Sequence, residues 1–141
     1  MAVTDNMSAV VIAGVTAKWL ATGSLSGIFG PYLDEKPSDK QVSTPYCVFN
    51  LMDAVDDGWT CLTKRWVTIL EFAFHAATPE AANTSLNVFL AVFGADTLTL
   101  TLSNGSLTDH RVQGVSLANE QNPGMGLASC RIRFRSNHSR T

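Results

Sequence analysis

Residues 63–94, TKRWVTILEFAFHAATPEAANTSLNVFLAVFG, decide how this chain is read. From Lys64 to His75 the residues alternate. Trp66, Thr68, Leu70, Phe72 and Phe74 fall on one face; Arg65, Val67, Ile69, Glu71, Ala73 and His75 fall on the other. Bulky apolar residues at period two, many of them β-branched or aromatic, predict a half-buried strand. The period then changes. Thr78 is placed to cap a helix, Pro79 stands at its first position, and Glu80 follows in the first turn, where the helix dipole favours a negative charge. Ala82, Leu86, Phe89, Leu90 and Phe93 recur at helical spacing, and Gly94 is the predicted stop. A strand face and a helix stripe joined by so few residues should close on each other.

On the N-terminal side the chain offers a loose leader at 1–7 and a first helix from Ser8, its expected cap, to about Thr22. Val11, Ile12, Val15 and Trp19 lie on one face of that helix, and Gly23 ends it. From Gly23 to Pro45 three glycines and three prolines interrupt any period. This stretch is predicted to be an extended arm whose Ile28, Phe29, Tyr32 and Leu33 pack elsewhere, against another subunit being one destination. Pro45 leads into a strand at Tyr46–Met52, with Asp53–Thr60 (DAVDDGWT) read as the turn or loop of an antiparallel hairpin.

On the C-terminal side, Thr97–Leu102 alternates with its leucines inward, and Ser103-Asn104-Gly105-Ser106 signals a tight turn. Leu107–Leu117 returns as a strand with a bulge at Gly114. Residues 119–126 form a loop, and Leu127–Arg135 is the final strand, with Ala128, Cys130, Ile132 and Phe134 inward. Residues 136–141 are read as a mobile basic tail. The prediction is one α+β domain over 1–141: an antiparallel sheet with a long β-hairpin, one central amphipathic helix packed on the sheet, and an N-terminal helix.

At 141 residues, with 45% apolar and 16% charged residues, the chain can bury a core without staples. The charged fraction lies below the roughly 25% usual for soluble domains, which points to surface covered by partners. A net charge of −2 gives no overall footprint for nucleic acid. No run approaches the roughly 18 apolar residues of a membrane span. Three cysteines, Cys47, Cys61 and Cys130, cannot all pair with one another. With no signal-peptide pattern at the N-terminus, they are expected to be reduced thiols in a cytoplasmic setting.

The search for chemistry returns little. His75, His110 and His138 lack metal-ligand spacing, no Gly-x-Ser-x-Gly elbow occurs, and Gly23, Gly27 and Gly30 lack the Lys-Ser/Thr of a phosphate loop. No catalytic, metal or cofactor-binding residue is expected. Asp53, Asp56 and Asp57 read as a solvated turn, a cation site or a patch at a subunit contact; they lack the residue order of a calcium loop. Trp59 adjoins them. Arg131, Arg133 and Arg135 project from one face of the last strand at period two, and like charges so placed need acidic partners or phosphates. Three readings stay open: a solvated or charge-guarded edge, pairing with a neighbouring subunit's acids (the Asp53–Asp57 patch being the candidate), or DNA, which the lack of interleaved aromatics disfavours.

Taken together, several features resemble the tail terminator (tail completion, head–tail joining) proteins of long-tailed bacteriophages. These are the N-terminal helix, the arm, the Thr44-Pro45-Tyr46-Cys47-Val48-Phe49 strand opening, the Trp66–Phe74 strand, the Thr78-Pro79-Glu80-Ala81-Ala82 helix start and the closing strands. The resemblance covers roughly residues 8–135 and rests on element order and length. It implies a non-enzymatic virion protein, assembled in the host cytoplasm. Such a protein forms a ring, commonly of six subunits, that caps the tail tube and meets the head-side connector. DNA passes through the lumen without sequence-specific contact, and no membrane is involved. Other readings are a head-closure or neck adaptor protein, a small peptide- or ligand-binding domain using the apolar face of the arm, and an enzyme centred on Cys61 or His75.

Overall fold

The computed structural model describes residues 7–34, 45–60, 62–119 and 126–139. The strand predicted at its centre is there, and it is longer than its alternation suggests. It is β3 (Thr63–Ala76), preceded in chain order by α1 (Ser8–Leu20), a short 3-10 turn (Gly23–Leu25), β1 (Phe29–Leu33) and β2 (Tyr46–Trp59). After it come α2 (Pro79–Phe93), β4 (Thr101–Leu102), β5 (Gly105–Asn119) and β6 (Gly126–Ser139). The strands form one sheet in the order β1-β2-β3-β6-β5-β4.

The fold predicted as an antiparallel sheet under one central helix needs correction. The sheet is mixed, because β1 runs parallel to β2. Strands take more than half of the described residues, the sheet curls toward a half-barrel, and two helices pack on it. β1 was hidden inside the arm because Gly30 and Pro31 erase any alternation. A proline is tolerated there because β1 is an edge strand. The turn or loop expected over Asp53–Thr60, where acidic residues and glycine are poor strand formers, is strand as far as Trp59. Pairing with β3 from Asp53↔Ile69 to Trp59↔Lys64 supplies the ladder that local propensity does not. Ser136–Ser139, read as the start of a tail, is strand for the same reason: it pairs with Thr63–Trp66 on one side and Gly105–Leu107 on the other.

The core lies between the even-numbered face of β3 and β6 and the two helices. Phe72, Phe74, Ile132 and Phe134 are fully buried there, with Phe89 and Phe93 of α2 above them. Ring centroids stand 4.6 Å apart for Phe72–Phe89 and 5.6 Å for Phe49–Phe72. Trp19 of α1 closes the cluster, 5.6 Å from Phe89.

α2 starts as predicted: the Thr78 side chain accepts a hydrogen bond from the Ala81 N–H at 3.1 Å, and Pro79 sits at the helix start. α1 starts differently. Ser8 does not cap it; the Ser8 hydroxyl instead accepts from the Trp66 indole N–H at 3.0 Å, tying the helix start to β3. The loop leucines predicted inward are buried (Leu98, Leu100, Leu102), although only Thr101–Leu102 is strand. β5 shows a register shift between Val112 and Gly114, where the bulge was expected.

Two cysteines belong to this core. Burial pushes the Cys47 thiol well up, and burial with the nearby Glu71 carboxylate pushes Cys130 up to about 12. Both should resist iodoacetamide at pH 8 in the native protein and be modified only in denaturant, as read by mass spectrometry. Rapid native alkylation of either would contradict this packing. Cys61 lies outside the described residues.

Candidate interaction surfaces

The odd-numbered residues of β3 and β6 face away from the helices, and the predicted arginines lie there. Cross-strand register decides their partners. Arg131 pairs with Glu71 on β3, with Nε 2.9 Å from Oε2. Arg135 lies between two acids: Asp57 Oδ2 is 3.2 Å from Nε, and Asp109 Oδ2 is 3.3 Å from Nη1. The Asp57 contact is an ion pair without hydrogen-bond alignment, since Nε makes no hydrogen bond. These pairs are partly exposed, so each contributes at most about 1 kcal/mol. Their main effect is to neutralise charge on this face.

Arg133 is different. Its cross-strand neighbours are Ile69 on β3 and Arg111 on β5. Among the described residues neither Arg133 nor Arg111 has an acidic partner. The two line a depression of about 340 Å³ with Val112 and Gln113. Beside it lies another of about 410 Å³, lined by Glu71, Arg131, Gln113, Val115 and neighbouring residues.

The acidic residues of β2 separate. Asp57 serves Arg135. Asp56 accepts from the Gly58 N–H at 3.0 Å and stands 3.8 Å from the Lys64 ammonium, which lies 5.1 Å from the Trp66 ring centre. Asp53 is exposed; one of its oxygens accepts from the Ala54 N–H at 2.9 Å. Among the described residues no three His, Cys, Asp or Glu side chains gather as a metal site. Trp59 ends β2. Of the arm residues, Ile28 is buried in the core, Tyr32 is half-buried on β1, and Phe29 is exposed. The structure therefore brings Asp57 to Arg135 within one chain and leaves Asp53 apart from the arginine stripe.

Sequence reasoning passed over Glu71, Asp109 and Arg111. Each matters only through the pairing of β3, β6 and β5. Antiparallel alignment of Val67–His75 with Leu127–Arg135 would have placed Glu71 against Arg131.

His75 stacks on Tyr46, ring centres 4.7 Å apart. His138 is buried where β6 meets the β4–β5 turn. Its Nε2 is 2.7 Å from the Ser136 hydroxyl, while Nδ1 has no partner. Burial holds its pKa below the usual value. The unfolded chain therefore binds the proton more readily than the folded one. Stability should be fully present above about pH 6.5 and be lost as pH falls from there through the lowered folded value. Urea midpoints should drop as pH falls below about 6.5, and His138→Gln should flatten part of that drop. An unchanged slope in the variant would remove His138 from the account.

No helix among the described residues is long and apolar enough to cross a membrane. No family model and no curated protein matches the chain. Among solved structures, the fold is similar to a chain from the virion of a native gene transfer agent particle. The likeness has a TM-score of 0.72 at 16% identity and covers 95% of this chain and 99% of that one. A second solved chain, at 12% identity and a TM-score of 0.47, is too distant to carry an argument.

Proposed function

We propose that this protein is a structural component of a phage-like virion and, within it, the tail terminator. In this reading it forms a ring, six-fold by the family resemblance, that caps the tail tube and presents a surface to the head-side connector. It acts without catalysis, metal or cofactor, DNA passes through the ring without base-specific contact, and assembly takes place in the host cytoplasm. The observation that carries the reading is the fold likeness to a gene transfer agent virion chain over nearly the whole length of both. The element order and length that resemble tail terminators supply the finer role.

The test has two parts. Purified protein is sized by light scattering, alone and with tube protein, and is then added to polymerising tube protein. A terminator gives rings and arrests tubes at one end, where antibody-gold labels it in electron micrographs. Label on the capsid side of the neck would favour the adaptor reading instead. A monomer that leaves tube growth unchanged would overturn both.

A further inference from the structure

Among the described residues, β2 and β5 are each paired on their outer side over only part of their length. β1 covers β2 only at Tyr46–Phe49, and β4 covers β5 only at Gly105–Ser106. Beyond those points, among the described residues, no strand pairs the outer edge of β2 or of β5. An open edge is a row of amides and carbonyls ready to pair with another chain. Apolar side chains accompany these edges: Met52 is 43% exposed, Val55 45% and Val115 56%.

We infer that the joint between adjacent copies is an antiparallel β-ladder between β5 of one subunit and the distal half of β2 of the next, keyed by Arg111 against Asp53. This rests on the ring reading above and names the contact that would build it.

Direction supports it. In the order β2-β3-β6-β5 each strand is antiparallel to the next, so β2 and β5 run oppositely within one sheet. Rotation about a ring axis keeps each strand's sense along that axis. The β5 edge of one copy therefore meets the β2 edge of the next antiparallel, and the contact is head-to-tail, the kind that closes rings.

Register follows from bulges, faces and charge. Register shifts bound a regular stretch at Asp53–Asp56 on β2 and another at Asp109–Val112 on β5. Asp53 and Val55 lie on the face away from the helices, as do Asp109 and Arg111. Faces must match across a ladder, since a one-residue slip reverses every side chain. This leaves Asp53 opposite either Asp109 or Arg111. Opposing aspartates repel, and Asp109 already serves Arg135. Arg111 has no acid of its own chain among the described residues, and Asp53 no base. The register that joins them also sets Val55 opposite Asp109. The Ala54 N–H engages one Asp53 oxygen, and the other is available to the guanidinium.

The test uses the full chain with Cys61→Ser. Protein carrying Asp53→Cys is mixed with protein carrying Arg111→Cys, assembled, and oxidised. A disulfide-linked dimer should form in the mixture and in neither protein alone, because each head-to-tail joint takes one residue from each flank. Separately, Asp53→Arg and Arg111→Asp should each weaken self-association about ten-fold or more, and the double variant should recover it. Rings that assemble but give no cross-link in the mixture would place the joint elsewhere and overturn this inference alone. A chain that stays monomeric at all concentrations, with or without tube protein, would overturn the ring reading as well.

Discussion

Replacing Phe72 with alanine should destabilise the protein by roughly 3–5 kcal/mol, the range for removing a fully buried phenylalanine. Phe72 has no solvent exposure and stands at the meeting point of three elements. It stacks on Phe49 of β2 at 5.6 Å and packs against Phe89 and Phe93 of α2 at 4.6 and 6.4 Å. The cavity left behind is walled by rings on a strand and a helix, which cannot collapse into it without breaking their own contacts. Against a total stability of about 5–15 kcal/mol, this is a large share, and the melting temperature should fall by about 10 °C or more. Phe29→Ala, on the exposed edge strand, is the comparison and should cost less than about 1 kcal/mol. Equal losses from the two, measured by urea denaturation, would mean that the strand–helix interface is not the core.

The second large effect is expected at Gly126, from adding one methyl group. A side chain there would meet the Thr78 carbonyl oxygen and come within 2.5 Å of the Pro79 nitrogen and Cα. All three are backbone atoms at the start of α2, which is held in place by Pro79 and by the Thr78 cap. A flexible side chain could swing aside; a capped helix start cannot. Gly126→Ala should therefore cost at or above the upper end of the 1–3 kcal/mol usual for overpacking. Gly114 provides the contrast. Nothing lies within 4 Å of a Cβ built there, so Gly114→Ala should be close to neutral. If the two alanines prove equivalent in thermal melts, the close approach of β6 to α2 is wrong.

Local pattern accounts for Phe72 and not for Gly126. Phe72 announced itself: alternation along β3 placed it inward, and the helical stripe of α2 supplied its partners. Nothing local distinguishes Gly126 from Gly114, since both are glycines near a strand; only the docking of a helix start onto β6 separates them. The candidate contact residues divide the same way. Arg131, Arg133 and Arg135 were visible as one outward stripe, but that two of them are neutralised by Glu71, Asp57 and Asp109 depends on strands 26 to 78 residues away in sequence. The pairing imagined between copies, acids of β2 with arginines of β6, is in part met within one chain by Asp57 and Arg135.

Local pattern alone places β3, the capped helix after it, the inward leucines of 97–102, and the inward and outward faces of β3 and of Leu127–Arg135. All of these follow from periods of 2 and 3.6 residues and from capping chemistry, which act over a few neighbours. The assembled sheet makes strands of Asp53–Trp59 and Ser136–Ser139, sets β1 parallel to β2, and selects which arginines meet acids of the described strands. Those outcomes depend on which backbone lies alongside. A ladder of hydrogen bonds supplied from elsewhere in the chain outweighs weak local preference, and charge pairing follows register, which no short window of residues contains.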